Sequence, residues 1–576
     1  MPIAASGSLW PQPAALAPGT AAFPLAPTFR LQVVGGSTPL LDAALLRYTA
    51  LLQLRALPAS PYAGPLDAAH PLGQLSISLN STAPEQFLNT SEAYTLSVAA
   101  GGAALVAATW VGALRGLETF SQLVEYTPSL APAFPFLVPA CEVADAPRFL
   151  HRGALVDTSR HFIPLPQLRA FLDAMAYNKL NVFHCALASP LLHPLPSPLQ
   201  KTTHARHHPL PSPSACAGHI VDDNSFPWQS EAYPQLSALG AYAPAEAHTY
   251  SPADVQAVLA YAQARGIRTV VELDTPGHTQ SWGRALPGLT TQCFNASGLP
   301  DGTRGPIDPT REENWAILAA LLTEAARVFP DEYMHIGGDE VSFACWASNP
   351  SVNAWMAAHG FAPGDYAGLE SYYVQRVLAL VQGLGKTPIG WQEVFDNHLN
   401  LTARTIVNVW KYHNAPCVGG AGAVGAAAEA TLTWQGELAN VTASGFFALL
   451  SSPWYLNVIQ YAPDWESFYL QEPLNFTGSA AQKALVIGGE LSCWGEYVDA
   501  TNLLSRVFPR GSAVAERLWS AASVRDVAGA ALRINDQRCR MLARGVTAGP
   551  LLPSSCPAEA EIAYNPPWSL AAGALG

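Results

Sequence analysis

Residues 255–274 read VQAVLAYAQARGIRTVVELD, and residues 315–340 read WAILAALLTEAARVFPDEYMHIGGDE. In each, a helical stretch runs into a short apolar strand with polar residues at its exit. Val255 to Arg265 reads as a helix and Thr269 to Leu273 as a strand ending at Asp274. Trp315 to Val328 reads as a helix, and Tyr333 to Ile336 leads into Gly337-Gly338-Asp339-Glu340. The same grammar extends both ways. Upstream, Ala154-Leu155-Val156 precedes Asp157, a helix spans Leu165 to Tyr177, and Asn181-Val182-Phe183 is the next strand. Downstream, the helix Tyr366 to Leu384 precedes Pro388 to Gly390 and Trp391. Thr405 to Val409 reaches Trp410, Phe447 to Leu450 precedes Pro453-Trp454-Tyr455, and Leu485 to Ile487 precedes Glu490 and Trp494. Eight strands with helices mostly between them predict a closed (β/α)8 barrel, with an open doubly wound sheet as the alternative. Polar and aromatic residues just after the strands fall where barrel active sites are built.

The first 147 residues are Pro-rich and broken by turns. Leu75 to Leu79 alternates apolar and polar as a half-buried strand does, and Trp110 to Leu123 reads as a helix. The chain is therefore expected to divide into a small α+β domain over 1–147 and a catalytic barrel over 148–576. Leu96 to Leu114 carries no charge over a span-like length, but Gly101-Gly102 inside it predicts a strand, a tight turn and a helix start.

Composition bounds the function. The 576 residues are 49% hydrophobic and 13% charged, which excludes disorder, and the net charge of −13 disfavours nucleic acid and anionic membrane as partners. Nine cysteines contain no CxxC pair and predict no zinc ribbon. Six sequons, at Asn80, Asn89, Asn295, Asn400, Asn440 and Asn475, favour a secretory route, although Met1 to Trp10 shows neither a basic start nor an apolar signal core.

One segment breaks the pattern. Residues 185–218 hold no Asp or Glu, seven prolines and four histidines, His193, His204, His207 and His208. No helix or strand spacing sets these histidines as metal ligands. Both ends fit a codon-level account, in which a Trp codon split by an intron is read through into Cys185, and an intron ending in CAG is read as Ala217-Gly218. The expectation is a retained in-frame intron, with an intended chain reading His184-Trp-His219.

With that segment set aside, the chain reads Leu-Asn-Val-Phe-His-Trp-His-Ile-Val-Asp-Asp-Asn-Ser-Phe-Pro. To it are added Val156 to His161, Asp274 to His278, His335 to Glu340, Pro453-Trp454-Tyr455 and Trp494 to Tyr497. In this order over about 400 residues, they resemble the β-N-acetylhexosaminidases of glycoside hydrolase family 20, of the eukaryotic lysosomal and vacuolar type. Leu9-Trp10-Pro11 is similar to the family's mature N-terminus, and Cys539 to Cys556 to its C-terminal end.

The resemblance implies an exo-acting enzyme that removes terminal β-linked GlcNAc or GalNAc from glycans, glycoconjugates or chitin oligomers. It implies no metal or organic cofactor, a lysosomal, vacuolar or secreted location, and a homodimer through the barrel. It makes Glu340 the general acid and then base, and Asp339 the group that orients the substrate acetamide, whose own oxygen attacks the anomeric carbon. Glu340 must keep its proton at working pH. Asp222 and His278, with Asp274 as a lesser member, are the implied relay that tunes it. Trp391, Trp410 and Trp494 would cage the acetamido methyl and Tyr455 would donate to its oxygen. Arg160 and Glu496 would hold sugar hydroxyls. At Asn457 the family often carries Asp. Followed here by Val458, the position implies a preference for neutral over sulfated sugars. Cys293 with Cys345 and Cys539 with Cys556 match the family's disulfides, while Cys141, Cys417 and Cys493 have no implied partner. The rival reading is a non-catalytic glycan-binding relic, or a misfolded product of the insert.

Overall fold

The computed structural model describes residues 8–54, 65–128, 135–186, 225–242, 248–397, 401–402, 404–411, 433–458 and 463–557. Most of the 185–218 segment, with its four histidines and Cys216, lies outside the described residues, as do Asp222, His219, Asn400 and Cys417.

The N-terminal part is a six-stranded sheet ordered β1-β2-β4-β3-β6-β5, with β1 (Ala15–Val33) also pairing with β6 (Phe136–Asp145). Its other strands are β2 (Leu72–Leu79), β3 (Tyr94–Ala99), β4 (Gly102–Ala107) and β5 (Glu125–Tyr126). The uncharged stretch from Leu96 is thus the β3–β4 hairpin, followed by helix α2 (Trp110–Leu123) after α1 (Pro39–Leu51). Thr109 caps α2 by accepting from the Gly112 N–H. Every residue of α2 is buried. An all-round buried helix needs cover on both sides, and the sheet and the barrel supply it.

The barrel closes in the order β12-β13-β14-β15-β16-β7-β8-β9. Its strands are β7 (His151–Asp157), β8 (Val182–Ala186), β9 (Arg268–Glu272), β12 (Tyr333–His335), β13 (Thr387–Trp391), β14 (Ile406–Val409), β15 (Phe447–Leu450) and β16 (Val486–Cys493). All eight neighbouring pairs are parallel. A hairpin, β10 (Thr290–Phe294) with β11 (Pro300–Ile307), sits outside it. One expected placement changes. Glu490 was read as lying beyond its strand, but β16 continues to Cys493 and carries Glu490 inside the barrel, 1% exposed.

Buried charge clusters join the two parts. Glu92 accepts from Arg115 Nε at 2.6 Å, Arg152 Nη2 at 2.7 Å and Asn181 Nδ2 at 2.9 Å. Lys179 Nζ lies 3.0 Å from Asp145 Oδ2, and Trp519 Nε1 donates to Asp145 Oδ1 at 3.0 Å. Removing one partner of such a cluster leaves an uncompensated buried charge. Among the described residues no helix is long and apolar enough to cross a membrane.

Candidate active site

The site lies where β7, β9, β12, β13, β14 and β16 end. After β12 the chain turns through left-handed backbone at Gly337 (φ 68°), Gly338 (φ 93°) and Glu340 (φ 47°). A side chain at Gly337 would meet the Asp274 carboxylate, its Cβ 1.7 Å from Oδ1. This turn gives two adjacent carboxyls different surroundings: Asp339 is 1% exposed, whereas Glu340 is open to solvent. His278 is the second non-glycine residue of the site held at positive φ, at 51°. Such strain persists where surrounding structure fixes it, commonly at functional sites.

Asp274 accepts from the Gly338 N–H at 2.8 Å and forms a side-chain hydrogen bond with Asp339. Burial, then the charge of Asp339, pushes Asp274 well above the carboxylate range, so Asp274 holds the shared proton and donates it. Burial also raises Asp339, opposed by His278. The structure therefore joins Asp274 to Asp339 directly. Although Glu340 is exposed as a residue, its carboxyl is largely shielded from water, and that desolvation, then the charge of Asp339, pushes it up to about 8. Its proton is kept across the acidic and neutral range, as a general acid requires.

The aromatic residues form a closed set. Trp391 lies 6.4 Å from Trp410 and 5.9 Å from Trp494 between ring centroids, and Tyr455 lies 6.3 Å from Trp410 and 6.0 Å from Trp494. All four are buried. Arg160 Nη1 donates to Asp157 Oδ2 at 2.9 Å, lies 3.9 Å from Glu496 Oε1 and reaches over the Trp494 ring at 5.6 Å. Asp157 also accepts from the Gly495 N–H, which ties the Trp494–Glu496 segment to β7. Asn457 is half-buried at the rim, and Val458 beside it is exposed.

Sequence reasoning missed Glu393, Lys411 and Gln392. Glu393 Oε2 accepts from Trp410 Nε1 at 2.7 Å, and its Oε1 lies 3.2 Å from Lys411 Nζ. Gln392 Oε1 accepts from the backbone N–H of Trp410 and of Lys411. Burial raises Glu393 to about 7 against the pull of Lys411. The signal was available: Glu393 lies two residues after one cage tryptophan and Lys411 directly after another. Cys293–Cys345 and Cys539–Cys556 are disulfides, and Cys141 and Cys493 are free and buried. The side-chain donor and acceptor atoms of Asp274, His278 and Asp339 gather within 4.8 Å of one another, as do those of His184, Glu272 and His335.

Residues 149–195 and 218–522 match the model of the glycosyl hydrolase family 20 catalytic domain. The chain belongs to that family. Residues 9–123 match a second model, described as beta-acetyl hexosaminidase like. The family 20 match leaves 196–217 uncovered, inside the anomalous segment. The chain is 43% identical to the beta-hexosaminidase subunit alpha of Bos taurus over 525 residues, 90% of this chain and 88% of that one. It is 44% identical to the subunit beta of Mus musculus over 490 residues, 85% and 80% of the two. Among solved structures it is similar to a Flavobacterium johnsoniae chitobiase, with a TM-score of 0.73 at 26% identity, covering 94% of this chain and 73% of that one. The chain is a glycoside hydrolase on a (β/α)8 barrel.

Proposed function

We propose that Glu340 and Asp339 divide the chemistry of this exo-β-N-acetylhexosaminidase by a retaining, substrate-assisted route. Glu340 gives its proton to the glycosidic oxygen as the bond to the anomeric carbon breaks. The substrate's acetamido oxygen closes on that carbon and forms a cyclic oxazolinium. Asp339 accepts the amide N–H and balances the positive charge, while Tyr455 donates to the acetamido oxygen. Glu340 then takes a proton from water, which opens the ring with net retention. The observation that carries this division is the contrast between neighbours: Asp339 buried beside protonated Asp274, Glu340 open to solvent with its proton held to about pH 8. His278 assists both, and Asp222 is the proposed further member of the relay. Arg160 and Glu496 bind sugar hydroxyls, and Trp391, Trp410 and Trp494 enclose the acetamido methyl. The test compares an aryl β-N-acetylglucosaminide with the aryl β-glucoside that lacks the acetamide. Cleavage of both at similar rates sinks the internal nucleophile.

The 1–147 and 148–576 division and the foreign nature of 185–218 belong to the same reading. The family match that skips 196–217 supports the second. Replacing 185–218 with one Trp gives a chain expected to be active, while the 576-residue chain is expected to be inactive or strongly impaired. Equal activity makes the segment a tolerated loop. A folded but inactive short chain favours the binding-relic reading.

Terminal GlcNAc or GalNAc on uncharged sugars is the proposed substrate. Asn457 offers no repelling charge to a 6-sulfate and Val458 offers no cation to attract it. A comparable kcat/KM on the 6-sulfated substrate refutes this. A lysosomal, vacuolar or secreted location is supported by sequons at Asn80, Asn89, Asn295, Asn440 and Asn475, all exposed. Homodimerisation is tested by light scattering.

A further inference from the structure

Beneath the acetamido cage the barrel interior holds a second polar layer, where branched apolar side chains are usual. His151 of β7, His184 of β8, Glu272 of β9, His335 of β12, Asn408 of β14 and Glu490 of β16 meet there, none more than 4% exposed. His184 is its centre. Its Nε2 lies 3.1 Å from Glu272 Oε2 and its Nδ1 lies 3.1 Å from Glu490 Oε1. Glu272 Oε1 accepts the Trp391 Nε1–H at 2.8 Å and lies 3.0 Å from His335 Nδ1. Glu490 Oε1 accepts from Asn408 Nδ2 at 2.7 Å, and Ser451 Oγ donates to Asn408 Oδ1 at 2.7 Å. His151 Nε2 stands 3.5 Å from Glu490 Oε2, and the His335 ring lies 4.7 Å from that of His184.

We propose that His184 is a positioning residue for the acetamido cage: as an imidazolium clamped between Glu272 and Glu490, it fixes Trp391 through Glu272, and through Glu490, Asn408 and Ser451 it fixes the strand ends that deliver Trp410 and Tyr455. The connections are covalently short. Asn408 is two residues before Trp410, Ser451 four before Tyr455 and Glu490 four before Trp494. Two carboxylates cannot share a dry interior without a cation between them. Burial pulls the His184 imidazole down, but Glu490 and Glu272 override it and hold it at about 10. The other groups facing the trio are His151, which burial pulls down against the opposing hydrogen bond and charge of Glu490, and His335. The Glu272 charge in turn contributes to raising Asp339 and Asp274, so the clamp also bears on the acid limb of the rate profile.

The inference rests on the roles proposed above for the cage and for Asp339. Its test uses His184→Gln and the double variant His184→Gln/Glu490→Gln, made in whichever of the 576-residue and shortened chains is active. The probes are the aryl β-N-acetylglucosaminide and free GlcNAc as inhibitor. H184Q should raise KM and the GlcNAc inhibition constant together by about tenfold or more, the scale of losing a supporting partner behind a functional group. It should also move the acid limb of kcat to higher pH, because the Glu272 charge is then unbalanced. The double variant restores the net charge of the trio and should recover most of both effects. Unchanged KM, inhibition constant and pH profile in H184Q overturn the proposal. So does a loss that the double variant leaves untouched, which marks a packing role. Should H184Q not fold, Glu272→Gln removes the charge that holds His184, and unchanged KM and inhibition constant there overturn it equally. A parallel Glu340→Gln control separates the readings: if that variant keeps full activity, the assignment of the reaction fails whatever His184 does.

Discussion

Glu272 and Glu490 in the lower layer, and Asp274 and Asp339 one layer above, are equally buried carboxyls that titrate in opposite directions. Burial raises all four. In the upper layer burial leads: the charges of Asp339 and Glu272 push Asp274 up further, while Asp339 stays raised by burial against the opposing pull of His278. In the lower layer the neighbours are imidazoles. His335 and His184 bring Glu272 down to about 2, and His184 and His151 hold Glu490 well below its usual range. At equal depth, the balance between burial and the charge of the partners decides the direction. One barrel thus keeps a proton-rich pair of carboxyls facing the substrate above an ionised trio, Glu272, His184 and Glu490, that holds it in shape. The pH signs follow. Glu272 contributes stability above its unfolded value near 4.5, lost only as pH falls through about 2. His184 contributes stability fully below its unfolded value near 6.5, lost only as pH rises through about 10. Between about pH 4.5 and 6.5 both contributions are complete.

Removing the proton donor breaks the upper layer's function most severely. Glu340→Gln should lower kcat on the aryl β-N-acetylglucosaminide by about 10²–10⁴-fold with the fold intact, measured beside circular dichroism. A residual rate within tenfold of the parent would falsify Glu340 as acid. Asp339→Asn comes next, at about 10²–10³-fold, the scale of removing one preorganised electrostatic partner of a charged intermediate. It carries a second signature. Asp339 is one of the charges that raise Glu340, so its loss should move the alkaline limb of kcat below pH 8. An alkaline limb that stays in place separates Asp339 from the titration of Glu340.

Asp274→Asn sharpens the layer comparison at a smaller scale. A protonated Asp274 donates to Asp339 and accepts from Gly338, and an Asn can do both. Its kcat should stay within about tenfold of the parent, whereas Asp274→Ala, which leaves Asp339 without its donor, should fall much further. Equal losses in the two variants mean that Asp274 acts as an anion.

The upper layer was largely legible and the lower one was not, for a physical reason. Catalytic groups at strand exits stand in contiguous motifs, such as Gly337 to Glu340, so order along the chain exposes them. The lower layer is built from one residue per strand, from His151 to Glu490; His184 and His335 stand inside motifs, but His151, Glu272, Asn408 and Glu490 each look like an isolated polar residue in an apolar run. Only closure of the barrel shows that they touch. The apolar run Leu485 to Ile487 marks only the start of this strand, and β16 passes on through Gly488 and Gly489; Gly488, at φ 151°, packs against the His151 backbone, where a Cβ would lie 1.9 Å from its carbonyl oxygen. The eight strands were legible because helical and strand-like periods alternate. The cage was legible because Trp391, Trp410 and Trp494 stand at the ends of three strands; the nearness of Glu393 and Lys411 to two of them in sequence marks them as candidates, but only the fold shows that Glu393 meets both Trp410 and Lys411.

The smallest expected effect is thermodynamic, and its sign runs against intuition for an active-site substitution. Glu340 has a folded-state value near 8, above its unfolded one near 4.5. The folded chain therefore binds more protons than the unfolded chain between those values, and stability falls as pH rises through the window. Gln at this position cannot ionise. Glu340→Gln should match the parent melting temperature at pH 4 and exceed it at pH 8.5, by on the order of 1 °C because Glu340 is an exposed residue and solvent screens much of the effect. The same scan on Glu272→Gln should show the reverse, a variant less stable than the parent above pH 4.5 with the deficit closing as the pH falls toward 2. Scanning calorimetry of the two variants across pH reads both signs. If both shift in the same direction, depth rather than partner charge governs the two layers, and the contrast between them is wrong.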